Sequence, residues 1–322
     1  MKKLPFLSSS GSPTSISWNV GDTIFKYLTS FFAAMVLLLI ALMAYEMYAS
    51  STVSIQKFGW GFLTSSKWDP VMDEYGALPF IYGTLVSSFI ALVIALPVGV
   101  GIAVFLTELA PRWIERPFSF FVELLAGIPS IVYGLWGFFV MVPWIRTTVE
   151  PFLSGHFGSI PLFTGAPYGV GMLAAGTILS IMILPIISSI SRDVLKAVPI
   201  AQKEAALALG STRWEATRIA LSYSRSGIIG ATILGLGRAF GETMAVTMVI
   251  GNRPVIKASL FEPAYTMASV LANEFTEATS ELYISALIEI ALVLFVVALL
   301  VNAAARLLVW SFTRSSDAGG RF

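Results

Sequence analysis

Cysteine is absent from the 322-residue chain, which excludes disulfides, thiolate metal sites and iron–sulfur clusters. Histidine occurs once, at His156, in a glycine-rich stretch. With no second histidine and no cysteine to join it, His156 is read as a solvated loop residue, and no metal site is expected. Charge is scarce as well: Asp, Glu, Lys and Arg make up 12% of the chain, about half the share usual in a soluble domain. The 20 basic and 19 acidic residues nearly cancel, so no net field favours nucleic acid or an acidic partner. The order Gly-x4-Gly-Lys-Ser/Thr is also missing. The chain therefore has no P-loop of its own, no cofactor is expected, and ATP-driven work would need a separate ATPase chain.

What the chain has in excess is apolar surface: 56% hydrophobic residues, 13% aromatic, mean hydropathy +0.81. This composition marks an all-α integral membrane protein in contact with membrane lipid. Six spans are expected, at 27–49, 80–106, 118–142, 169–190, 228–250 and 282–310, each long enough at about 1.5 Å per residue to cross a hydrocarbon core of about 30 Å. Lys2 and Lys3 imitate the start of a signal peptide, but 27–49 is too long and has no small-x-small cleavage site. An uncleaved first span after a polar segment, 1–26, is expected. Pro97, Pro129 and Pro185 are expected to kink their spans. Loop 50–78 carries Trp60 and Trp68 as interfacial residues, and 143–167 reads as a Gly- and Pro-rich loop. Fourteen Lys and Arg fall on the side of the termini, including the tail 311–322, and five (Lys57, Lys67, Arg146, Arg253, Lys257) on the other. The excess places both termini and the segment 191–227 in the cytoplasm.

That segment is the polar interruption of the pattern. Pro199 suits the first turn of a helix, the Ala- and Leu-rich run carries it on, and Gly210 suits the C′ position that ends it. Thr212 with Glu215 three residues later is a capping-box signature for a second helix. The pair is basic and joined by a short turn, as in a DNA-binding helix-turn-helix. Tethering at both ends to spans argues for a subunit-docking surface instead.

Arg238 falls within the fifth expected span, where a central Arg costs about 2.5–3.5 kcal/mol on insertion scales and is seldom retained without a polar partner or an aqueous cavity. Glu242 follows at i+4, on the same face if the helix continues. Two readings stand: a structural ion pair, or an Arg that presents its cation to an anion in transit with Glu242 orienting it. Gly237 and Gly241 form a small-xxx-small pair that would admit a close helix. The glycines here lack dinucleotide-fingerprint spacing, and no strand precedes them. Glu289, in the last span, either lines a cavity or pairs across helices.

Glu204-Ala205-Ala206, with Gly210 four residues on, resembles the EAA loop of bacterial ABC importer permeases, a cytoplasmic helix pair that fits a cleft in the ATPase. The stretches 76–85, 105–111, 123–134, 235–244 and 271–275 resemble, more narrowly, the PstC family of phosphate importer permeases. The resemblance implies a type I importer architecture. It also implies a homologous permease partner (PstA), a dimer of the ATPase PstB below, and a periplasmic or surface phosphate-binding protein above. The docking residues it implies are Glu204, Ala205, Ala206 and Gly210, and the family's Arg and Glu carry over to Arg238 and Glu242. The chain itself would be a non-catalytic membrane subunit. One departure stands out: Ser222 occupies the place of a family proline, so the second helix of the loop is expected to run into the fifth span without its usual break. Permeases for other oxyanions, such as sulfate or molybdate, share the Arg but not these stretches. A self-contained secondary transporter would show an internal repeat, and none is evident. An intramembrane enzyme would need a nucleophile and base at credible spacing.

Overall fold

A computed structural model describes residues 20–318, with side chains over 21–307. The segment expected over 1–26 lies outside it as far as residue 19, and the tail 311–322 lies outside it beyond 318. Among the described residues the fold is entirely helical, apart from one isolated β-bridge between Asp69 and Glu74. The first helix, α1 (Val20–Ser50), is a unit by itself as far as Glu46.

The rest forms one unit. After a short helix α2 (Thr52–Phe58), α3 (Leu78–Leu109) runs through Pro97 without interruption and ends in a wide π turn at Phe105–Leu109. Then come α4 (Arg112–Ala126) and α5 (Ser130–Phe157), bent by 95° across Gly127–Pro129. α6 (Met172–Lys196) is the central span, followed by α7 (Ile200–Ala208), α8 (Arg213–Phe240), the short α9 (Met244–Val249), α10 (Met267–Glu274) and α11 (Glu281–Ala318). Among the described residues five helices are long and apolar enough to cross a membrane, six if the bent pair α4–α5 is one span.

Two expectations need correction. Pro129 ends a helix rather than kinking one, so the expected span 118–142 is divided between α4 and α5. Much of the expected loop 143–167 is helix as well. Pro143 is accommodated between π turns at Gly137–Met141 and Ile145–Val149, whose wider hydrogen-bond spacing tolerates a missing N–H. His156 accordingly sits on the last turn of α5, exposed, its ring nitrogen 2.9 Å from the Phe152 carbonyl. Second, the expected span 228–250 is broken at Gly241–Thr243.

α6 is buried along most of its length because its neighbours α3, α5, α8 and α9 surround it: Ile178, Leu179, Ile183 and Ile187 pack against Ala91, Ala95, Met141, Ala239 and Val249. A second cluster ties α3 to α10 and α11 at the far end of α3, and includes Phe80, Tyr265, Met267, Tyr283 and Leu287. A third cluster, Ala103, Val104, Leu195, Val198 and Ala220, seats the start of the α7–α8 pair on the other end of α3.

Candidate functional site

The two breaks meet. α5 begins at Ser130 just past Pro129, and one turn on, Gly134 lies so close to α9 that a Cβ there would sit 3.0 Å from the Ala245 Cα and 2.7 Å from the Met248 Sδ. Only glycine permits this approach, which brings the start of α5 against the start of α9. Tyr133, buried, donates its phenol across the first break to the Leu125 carbonyl at 2.8 Å.

Arg238 stands in the last turn of α8, where the helix dipole favours a cation. It is exposed and makes no ion pair or hydrogen bond among the described residues. Glu242 is not its partner within one helix. α8 ends at Phe240 with Gly241 as its cap, so the chain turns away before the expected i+4 contact forms. Glu242 is instead buried, accepting from the Ala245 N–H at 3.3 Å at the N-terminus of α9. The two charges thus face the ends of two different helices, each at the dipole end that stabilises it.

Glu289 is elsewhere. A Cβ on Gly237 would meet the Asn302 side chain of α11 at 3.7 Å, and Glu289 lies thirteen residues before Asn302, about 20 Å along the helix axis at 1.5 Å per residue. It is buried beside α2, lining an apolar crevice of about 570 Å3 with Ile55, Trp60, Leu63 and Val293, and its Oε2 has no hydrogen-bond partner among the described residues. The structure therefore brings Arg238 and Glu242 to one region and leaves Glu289 out. Gly237 and Gly241 do not form a close helix seam either. The tight approach in this stretch is at Gly235, where a Cβ would lie 3.1 Å from Ile187 of α6.

The α7–α8 pair is built as its letters suggest. Gly210 has φ +86°, Ser211 N–H donates to the Ala206 carbonyl at 3.1 Å, and Gly210 N–H donates to that of Leu207 at 3.0 Å, the Schellman pattern. Thr212 and Glu215 form the reciprocal capping box. Pro199 lies one residue outside α7, at the N-cap position. α8 runs through Ser222 unbroken. Glu204, Ala205 and Gly210 are exposed, and Ala206 is buried beneath them. Around them Leu209 is 89% and Trp214 67% exposed, and a cleft of about 590 Å3 opens between Leu209, Gly210, Glu215, Arg218 and Ser222. Leu209 thus forms an exposed apolar edge to this cleft.

Two features escaped the sequence reading. Trp68 packs between Tyr75, Phe80 and Tyr283, and its Nε1 donates to Glu274 at 2.7 Å, where Tyr283 also donates at 2.6 Å. Burial pushes the neighbouring Tyr75 phenol up to about 12, so it stays a neutral donor. An aromatic box thus closes the end of the bundle opposite α7. The other feature is a set of ion pairs between the 108–123 stretch and the region before and within α7. Both stretches carry charges of both signs, and the linear sequence does not say which pair with which. Among the described residues no group of three His, Cys, Asp or Glu is placed to hold a metal ion.

Residues 95–313 match the family described as the inner membrane component of binding-protein-dependent transport systems. The chain is 50% identical, over 94% of both chains, to a phosphate transport system permease protein PstC of Mesorhizobium japonicum. It is 46% identical to that of Pasteurella multocida (91% of this chain, 93% of the relative) and 43% identical to PstC 2 of Mycobacterium tuberculosis (89% and 91%). Among solved structures it resembles a bacterial ABC transporter involved in import of the acidic polysaccharide alginate. There the TM-score is 0.55 and the identity 18%, with 88% of this chain and 98% of that one covered. It also resembles an inward-facing MetNI methionine ABC transporter (TM-score 0.50, 19% identity, 76% and 99% covered). At such identity these two speak for the fold alone.

Proposed function

Because the chain belongs to the inner-membrane components of binding-protein-dependent transport systems, and within them to the PstC permeases, we propose that it forms one half of an ATP-driven phosphate translocation path. The observation that carries this reading is Arg238: an exposed guanidinium without a protein partner, in the last turn of α8, where two broken helices meet. Phosphate is an oxyanion near neutral pH, and the planar fork of Arg matches two of its oxygens at once. Glu242, behind the break, sets the α8–α9 turn and limits the net positive charge, so that an anion can leave as well as arrive. Sulfate or molybdate would satisfy the same fork, and the PstC relatives favour phosphate over them.

The second part concerns partners. The exposed face of α7 around Glu204, Ala205 and Gly210, with the cleft beside it, docks one subunit of a PstB-type ATPase dimer in the cytoplasm, and both termini lie on that side. A PstA-type permease completes the path, and a phosphate-binding protein delivers substrate at the aromatic-box end. The chain performs no catalysis of its own in this scheme. In proteoliposomes carrying the whole transporter, Arg238→Gln should lower ATP-dependent phosphate uptake by more than about tenfold, the loss of one charge-assisted contact, with all subunits retained. Uptake at the wild-type level would return Arg238 to a structural role.

A further inference from the structure

The three ion pairs join segments far apart in sequence. Glu108, in the π turn that ends α3, pairs with Lys203 of α7 at 2.5 Å. Glu115 of α4 pairs with Lys196 at the end of α6 at 2.6 Å. Glu123 of α4 pairs with Arg192 at 2.8 Å, and Asp193 also holds Arg192 at 3.2 Å. Exposed ion pairs contribute little because solvent screens them. The Glu108–Lys203 pair differs, with only 12% and 23% of its two side chains exposed, and Lys203 immediately precedes Glu204 on the docking helix.

α4 is suited to pass displacement on. Its polar residues, Arg112, Glu115, Arg116, Ser119 and Glu123, recur at three- and four-residue spacing and form one stripe, and that stripe carries two of the pairs. It is four turns of helix ending at Gly127–Pro129. Just beyond, Tyr133 is bonded back to Leu125, while Gly134 bears on α9. α8, meanwhile, runs unbroken from the Gly210 turn to Arg238. One docking helix is therefore tied to both flanks of the double break: covalently through α8 to Arg238, and through Glu108 and α4 to the start of α5 and α9.

We propose that Glu108 is a positioning residue for transport, and that the Glu108–Lys203 pair makes α4 the lever by which movement of α7 is delivered to the break beside Arg238. The inference rests on the ATP-driven reading above. Glu108 touches no substrate and acts through α4.

The test uses the reconstituted transporter with all its subunits and reads phosphate moved per ATP hydrolysed. Glu108→Lys should retain the ATPase and its hydrolysis but lower that ratio by about tenfold, and the reversal Glu108→Lys with Lys203→Glu should restore it to within about threefold, the non-additivity that identifies a direct pair. A ratio unchanged in the single variant overturns the proposal. So does a double variant no better than the single, or a single variant whose defect is loss of the ATPase itself. Where Glu108→Lys does not assemble, Glu108→Gln is read against the same outcomes. The absence of cysteine permits a second readout that does not depend on substrate: spin labels at Phe120→Cys on α4 and Leu299→Cys on α11, both exposed. ATP binding should change their separation in otherwise wild-type protein and leave it unchanged with Glu108→Lys. An equal change in both overturns the lever even if the transported ion is not phosphate, whereas failure of the wild type to move phosphate, with the label result intact, counts against the functional reading alone.

Discussion

Arg238 and Glu242 show how two charges in an apolar stretch are kept without the ion pair that spacing alone suggests. The cap at Gly241 removes Glu242 from the face of α8 and gives it the N-terminus of α9 to bind, while Arg238 keeps the C-terminus of α8. The dipole contribution at each end is about 0.3–1 kcal/mol when exposed and somewhat more when buried. Arg238→Lys keeps the charge and loses the fork, so uptake should fall while assembly is unaffected, measured as initial rate against subunit recovery. Glu242→Ala removes the carboxylate from α9 and should lower thermal stability by about 1 kcal/mol, read as a shift in the melting midpoint of the purified complex. Glu289 belongs to a different argument. Its carboxyl is buried in an apolar crevice with one oxygen unpartnered, so Glu289→Leu should leave phosphate uptake near wild type and should not destabilise the protein, since an unsatisfied buried polar group costs about 1–3 kcal/mol. A large loss of uptake in Glu289→Leu would place it on the substrate path after all.

At the scale of elements, the pieces legible in the sequence are those whose cause is local. The capping box at Thr212 and the left-handed Gly210 depend on a few neighbouring residues, and both stand as their letters suggest. Thr212→Ala should cost about 1 kcal/mol, and Gly210→Val more, because a β-branched residue is strained at φ +86°. Both effects should appear as reduced retention of the ATPase on purification. The breaks were less legible. Pro129 reads equally as a kink or an end, and what decides is the 95° turn that lets the amphipathic α4 keep Glu115 and Glu123 of its polar stripe on Lys196 and Arg192 while α5 turns to pack on α9. Gly241 gave no sign that a helix would end there, because apolar residues continue on both sides. Pairings such as Trp68 with Glu274 span 206 positions, and nothing local encodes them.

For the whole molecule, the central pair α3–α6 carries the α7–α8 pair, the proposed docking surface, at one end and an aromatic box at the other, with the double break between them. Composition alone marked the membrane class, and the local letters of the polar segment marked the α7–α8 turn. The site half-way between depended on tertiary packing at Gly134 and Gly235, which a linear reading does not reveal. The most direct test of this account is ATP-driven uptake of radiolabelled phosphate by proteoliposomes holding the complete transporter, comparing wild type with Arg238→Gln at equal subunit content. The account expects uptake in the wild type that unlabelled phosphate suppresses and equimolar sulfate does not, and loss of that uptake by more than about tenfold in Arg238→Gln while the ATPase stays bound. Equal uptake by both proteins would contradict it.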